Sequence, residues 1–167
     1  MIRFISITLR NFMSYGNNTT VIQLDRSGTT LIIGEDLDNT SGGTGANGVG
    51  KTVVINALAY AVYGKPLSNI SLDNLVNNIN KKNMEVTVTF EKDGTFYHIK
   101  RVRKSKSYAA GNYVKYYVKE GSCEFTDDDE ETRDSVSNTN KTIEEVVGIP
   151  HELFSRIVVF SACLLYT

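Results

Sequence analysis

The sequence predicts an α/β domain in which a strand, a glycine-rich loop and a buried helix are joined to an antiparallel β subdomain. Three observations carry that prediction. "TLIIG" (Thr30–Gly34) is short, purely apolar and β-branched, the composition of a strand covered on both faces. "GANGVGKT" (Gly45–Thr52) leads into "KTVVINALAYAVYG", which is apolar nearly all round, as suits a helix packed inside a domain. Further on, "MEVTVTFEKDGTFYHIKRVRK" has Val86, Val88 and Phe90 alternating with polar residues before an Asp93-Gly94 turn, the pattern of a β-hairpin.

The remaining elements follow in order. "IRFISITL" (Ile2–Leu9) alternates as a half-buried strand does, and "VIQL" (Val21–Leu24) is its hairpin partner through the polar turn "SYGNNT". The helix after the glycine-rich loop ends at Gly64 and Pro66. "SLDNLVNN" (Ser71–Asn78) predicts a short helix capped by Ser71. "NYVKYYVKE" (Asn112–Glu120) predicts a third antiparallel strand with Val114, Tyr116 and Val118 on one face, its tyrosines Tyr113, Tyr116 and Tyr117 packing the sheet. "FTDDDEETRDSVSNTN" is polar and acidic and predicts a surface loop, with Asp127–Glu131 solvated rather than gathered on a metal. Asn138 or Thr139 caps a helix through "KTIEEVVG" that stops at Gly148 and Pro150, and "RIVVFSA" predicts a last strand. Glu35–Thr44, lying between Gly34 and Gly45, predicts a surface excursion; a flap over a ligand is the sharper alternative.

At 167 residues the chain has room for one domain with a real core. Its net charge of −1 gives no global pull towards nucleic acid, so any such contact needs a local patch. The longest apolar run, Val53–Tyr63, is too short to cross a bilayer, and the opening "MIRFISITLRNF" lacks a signal peptide's continuous apolar centre. Cys123 and Cys163 show no paired ligand spacing, so neither a disulfide framework nor a zinc site is expected. These features predict a cytoplasmic location and no membrane partner.

Gly45, Gly50, Lys51 and Thr52 satisfy G-x-x-x-x-G-K-[ST], a phosphate-binding loop. Glycines let successive backbone N–H groups turn inwards on phosphate oxygens. The following helix presents its positive dipole end and unpaired N–H groups to the same anion. Lys51 reaches the β- and γ-phosphates, and the Thr52 hydroxyl can ligate Mg²⁺. ATP and Mg²⁺ are therefore the expected ligands, with Lys51 as the catalytic candidate; the plain alternative is a glycine-rich surface loop before a helix. "KRVRKSK" brings Lys100, Arg101, Arg103, Lys104 and Lys106 together near Phe96, Tyr97 and Tyr108, a candidate DNA contact whose alternative is a solvated hairpin end.

"ITLRNFMSYG" before "LIIG", then "GANGVGKTVVINALAYAVYGKP", "FYHIKRVRK" and "GIPHELFSRIVVFSA", resembles the N-terminal part of the SbcC-type SMC-like double-strand-break-repair ATPases. It is most similar to the branch found in T-even-like phages, the recombination endonuclease subunits. The resemblance spans residues 1–162, read as the N-terminal ATPase lobe; 163–167, "CLLYT", are a doubtful tail. It implies a P-loop NTPase fold, the N-terminal lobe of an ABC/SMC-type ATPase head, in which two heads clamp two ATP molecules. A second copy of the head, a nuclease subunit of the SbcD type and DNA are the implied partners, in the host cytoplasm for a phage-encoded chain. The resemblance places Asn47, Gly48, Val49, Gly50, Lys51, Thr52 and Val53 on phosphates and magnesium, and Asn11–Ser14 near the nucleotide.

The sequence departs from this pattern in informative places. Met13 stands where the family often has a basic residue, and Ser161 where a magnesium-linked glutamine is common, so neither role is carried over. No signature motif, Asp-Glu strand end, switch histidine or heptad segment of a second lobe is found; His98 and His151 read as ordinary surface residues. Nucleotide binding with negligible hydrolysis by this lobe alone is the expectation, with exposed apolar edges as a solubility liability. The alternatives are an SMC-type DNA clamp without a nuclease, a small P-loop phosphotransferase, and a fragment without independent activity.

Overall fold

The computed structural model describes residues 1–33, 50–67, 69–106 and 111–158, with backbone alone at 157 and 158. Among the described residues five strands form one antiparallel sheet: β1 (Ile2–Arg10), β2 (Thr20–Gln23), β3 (Met84–Lys92), β4 (Thr95–Arg103) and β5 (Tyr113–Glu120). Their spatial order is β2-β1-β3-β4-β5. Three cross-strand rows build the inner face. Ile7, Val88, Ile99 and Tyr116 are successive partners, as are Leu9, Val86, Arg101 and Val114, and then Phe90, Tyr97 and Val118. Because side chains alternate along a strand, the outer face carries the other set. There Thr8, Thr87, Lys100 and Lys115 form a row, and Thr89 faces His98, which faces Tyr117.

The helix α1 (Lys51–Tyr63) packs on β3 and β4, and α2 (Val136–Val147) packs on α1 and β5. With the sheet on one side and α2 on another, nine of the thirteen α1 residues are buried, which is why its sequence is apolar all round. Gly64, at φ 70, stops α1 by donating its N–H to the Tyr60 carbonyl at 2.8 Å, and Gly148 stops α2 in the same way on Glu144. A short α3 (His151–Leu153) runs into a π-helical stretch, Phe154–Val158, whose Phe154 ring packs on Tyr63. Among the described residues no helix is long and apolar enough to cross a membrane.

Several expected elements come out differently. Residues 30–33 of the predicted buried strand form no strand, and Leu31 and Ile33 are 81% and 80% exposed. An apolar run becomes a strand only where a neighbour completes its ladder, and residues 30–33 pair with none of the sheet's strands. Gly34 and the excursion Glu35–Thr44 lie outside the described residues. The predicted final strand begins instead as helix: Phe154 donates its N–H to the Pro150 carbonyl at 2.9 Å, and Arg156–Val158 continue the coil; residues 159–162 lie outside the described residues. The α2 cap is Ser135, whose Oγ accepts from Asn138 N at 3.1 Å, not Asn138 or Thr139; Thr139 is fully buried on the inner face with Ile143 and Val147. Ser71–Asn78 yields only a 3-10 turn, Leu72–Leu75, with no cap from the Ser71 side chain.

The acidic loop holds a second 3-10 turn, Asp127–Asp129, closed by a Thr126–Asp129 capping box. Its carboxylates are tied to the sheet: Asp129 to Lys119 at 3.1 Å and Glu130 to Lys115 at 2.8 Å. Among the described residues no three His, Cys, Asp or Glu side chains converge as a metal site would require. Cys123 is a free, exposed thiol, and Cys163 lies outside the described residues.

Candidate functional site

The described part of the phosphate-loop motif is its end. Gly50 caps α1 at φ 92, in the left-handed region that side-chained residues avoid, and Val53 donates its N–H to the Gly50 carbonyl at 3.2 Å. Lys51 and Thr52 are exposed on the first turn, while Val53 is anchored in the core. The helix therefore has a fixed apolar body and an open first turn offering an ammonium and a hydroxyl. No carboxylate lies in that turn, so nothing there offsets the positive end of the helix dipole. Gly45, Asn47, Gly48 and Val49 lie outside the described residues.

A turn from the start of the chain lies over Gly50. A β-carbon added at Gly50 would stand 2.9 Å from Ser14 Oγ and 3.4 Å from Tyr15 Cε2. The turn closes through Asn11 N–H to Gly16 O at 2.8 Å and Tyr15 N–H to Phe12 O at 2.9 Å. Phe12 is fully buried, its ring 5.8 Å from that of Tyr60 on α1. Asn11 and Met13 both take left-handed φ values, 51° and 50°, so this path is held by its surroundings rather than preferred by the chain. The structure thus brings Ser14 and Tyr15 to the start of α1.

The basic cluster at the end of β4 is divided. Arg101 is a correction to the expected DNA contacts: it is buried, donating from Nε to Ala61 O at 2.7 Å and from Nη2 to Val62 O at 3.0 Å. Strand alternation turns it inwards into an apolar row, where the last carbonyls of α1 are its acceptors. Burial pushes its guanidinium down to about 10, still cationic at neutral pH. Arg103 reaches Asp73 Oδ1 from both Nε (2.9 Å) and Nη2 (2.7 Å), and Lys104 stands 4.0 Å from the same oxygen. The Arg103 hydrogen bond, and then its charge, hold the Asp73 carboxyl below the usual carboxylate range. Lys100 shares Glu85 with Arg10, each at 3.2 Å. Lys104 and Lys106 remain exposed, and Tyr108 lies outside the described residues.

Neither histidine is the plain surface residue expected. His98 is half-buried on the outer face, with Nδ1 2.9 Å from Thr89 Oγ1 and its ring against Tyr117 and Phe125. Tyr117 thus serves this aromatic group, while Tyr116 packs the core. Burial, and secondarily the Lys100 charge, lower His98 to about 4, so it is neutral at pH 7. A folded value below the ordinary one of about 6.5 means that the unfolded chain binds the proton better. The stability His98 lends is complete above pH 6.5 and lost as pH falls towards 4, by up to about 3 kcal/mol. His98→Asn should flatten that acid limb in urea titrations at pH 7, 5.5 and 4; an unchanged slope would assign the limb to other groups. His151 opens α3 half-buried, its ring edge-on to Tyr63 at 5.3 Å.

Sequence reasoning missed the asparagines Asn77 and Asn80, which brace the Asn11–Gly16 turn. Asn77 Nδ2 donates to Met13 O at 2.8 Å, and Asn80 Nδ2 to Asn11 Oδ1 at 2.7 Å. The density of asparagine in "DNLVNNINKKN" was the available signal, since this side chain bonds to backbone in turns and tolerates left-handed φ.

The sequence pattern of the AAA domain family matches residues 6–163. The chain is 29% identical over 155 residues to exonuclease subunit 2 of Enterobacteria phage T4, covering 92% of this chain and 23% of that protein. It is 35% identical over 98 residues to exonuclease subunit 2 of Escherichia phage RB69, covering 59% and 16%. It is 27% identical over 154 residues to the SbcC component of the nuclease SbcCD from Deinococcus radiodurans, covering 91% and 15%. The chain thus spans less than a quarter of the length of each of these relatives.

Proposed function

The chain belongs to the AAA domain family, and from that membership we propose that it is the ATP-binding N-terminal lobe of an ABC/SMC-type ATPase head that works with a nuclease subunit on DNA ends. The observation that carries this reading is the first turn of α1: an exposed Lys51 and Thr52 on an otherwise buried helix, backed by Gly50 in a left-handed conformation. An ammonium, a hydroxyl and free N–H groups at a positive helix end are the donor set that a polyphosphate needs. Gly45, Asn47, Gly48, Val49, Gly50, Lys51, Thr52 and Val53 are the proposed phosphate-binding residues. Lys51 would steady charge developing on the transferred phosphoryl group, and Thr52 Oγ1 would hold a magnesium ion, which would neutralise negative charge on the phosphates.

Hydrolysis also needs a group that orients the attacking water. The first turn of α1 holds no carboxylate, and in this reading a second copy of the head supplies the water-orienting group. ATP then joins two heads and hydrolysis parts them, giving an SbcD-type nuclease partner access to DNA. The relatives' names, an exonuclease subunit and a nuclease subunit, favour this over a clamp without a nuclease. Lys106 and Lys104 are the exposed candidates for DNA phosphates, Lys104 only loosely paired with Asp73 at 4.0 Å, while Lys100 and Arg103 are held closely by carboxylates.

Calorimetry with Mg²⁺ and ATP tests the nucleotide site. Wild-type protein should bind, and Lys51→Ala should weaken binding by about a hundredfold or more, a loss of one charge-assisted contact of about 3 kcal/mol. Equal binding by the two proteins, or none by well-folded wild type, would reject the reading.

A further inference from the structure

We propose that Asn77 is a positioning residue for the nucleotide site: its carboxamide holds the Met13 carbonyl and so sets the Asn11–Gly16 turn against Gly50. This rests on the nucleotide-binding reading above. Asn77 is buried, and every polar atom of its carboxamide is engaged. Its Oδ1 accepts from Ile79 N at 3.1 Å and Asn80 N at 3.0 Å, locking the side chain in its own turn. That lock aims Nδ2 at Met13 O, 2.8 Å away. The Asn77 backbone N–H bonds Asn11 O at 2.8 Å, and Leu75 O accepts from Met13 N at 2.7 Å. One short segment therefore grips the turn at Asn11 and at both polar backbone groups of Met13.

The grip matters because the turn is strained. Asparagine tolerates a left-handed φ, but Met13 does not, and its conformation at φ 50 persists only where the surroundings over-determine it. Beyond Met13, Ser14 Oγ and the Tyr15 ring stand where a β-carbon added to Gly50, one residue before Lys51, would meet them. Phe12 is separately fixed in the core, so releasing Met13 frees the outer half of the turn without unseating the inner half. Loss of the Asn77 donor is thus expected to act on ligand affinity more than on the fold.

Asn77→Asp isolates that donor. Aspartate keeps an oxygen for Ile79 N and Asn80 N but sets a carboxylate oxygen against the Met13 carbonyl. In the full chain, Mg²⁺-ATP affinity measured by calorimetry at pH 7.5 should fall about tenfold, the worth of one hydrogen bond. Combined with Lys51→Ala, Asn77→Asp should weaken affinity less than it does in the wild-type background, because it acts by placing the helix start that carries Lys51. A merely structural role would give additive losses. Wild-type affinity in Asn77→Asp at pH 7.5, with Lys51→Ala defective, would overturn the proposal and leave the nucleotide site standing. Additive losses in the double variant would also overturn it. Should Asn77→Asp fail to fold, Asn77→Ser decides: its hydroxyl keeps a local acceptor for the turn but is too short to reach Met13 O, and undiminished affinity there would sink the idea. If wild type and Lys51→Ala bind alike, the nucleotide reading fails and this proposal with it.

Discussion

Arg101→Met is expected to lower the stability of the domain by about 3 kcal/mol, since hydrogen bonds from a charged donor contribute about 1.5–3 kcal/mol each and two are lost. Methionine keeps most of the apolar length of the side chain, so the change reports the lost donors more than a cavity. What remains is a helix end whose Ala61 and Val62 carbonyls have lost their acceptor role inside the protein. Arg101→Lys should fall between, because a single ammonium does not reproduce the forked guanidinium that serves both carbonyls. Urea titration followed by circular dichroism measures both. A loss under about 1 kcal/mol for Arg101→Met would mean that the cost of burying the charge cancels the two bonds. DNA affinity should not be tested at this position, because any loss there follows from the fold; Lys104 and Lys106 are the proper substitutions.

Gly50→Ala is expected to weaken Mg²⁺-ATP binding at least about tenfold while costing about 1–2 kcal/mol of stability. Two effects combine. At φ 92 an alanine is strained whatever the surrounding space, and its β-carbon meets Ser14 Oγ and the Tyr15 ring besides. The turn must withdraw, or the helix start must move, and either shifts Lys51 and Thr52. Gly148→Ala is the control, because Gly148 has φ 70 and nothing within 4 Å of an added β-carbon. It carries the backbone strain without the collision, so it should lose similar stability and leave nucleotide affinity intact. Equal affinity losses in the two variants would refute a local role for the Gly50 contact.

Much of the fold was legible because it is written in local patterns. Alternation located β1, β3 and β5, turn residues located their hairpin partners β2 and β4, and Gly64 and Gly148 ended α1 and α2. The family was legible for a different reason: the loop motif and the opening "LRNFMSY" are backbone-forming sequences whose spacing is itself diagnostic. Where the reading failed, the deciding partner was distant in sequence. Nothing near Thr30–Ile33 says whether a neighbouring strand will be there to pair with it. Arg101 sits in a run of five basic residues, and only strand alternation, combined with the position of the α1 carbonyls forty residues earlier, turns it inwards.

The sequence by itself determined the antiparallel strands, the buried helix after the glycine-rich loop and the family resemblance, since periodicity, glycine placement and motif spacing are properties of contiguous residues. Tertiary structure alone decided which polar side chains would be buried: Arg101 on a helix end, His98 between aromatic rings, Asn77 against the Met13 carbonyl. A polar group tolerates burial only when a partner meets it at hydrogen-bond distance. That meeting depends on how separate elements dock, which no stretch of neighbouring residues records.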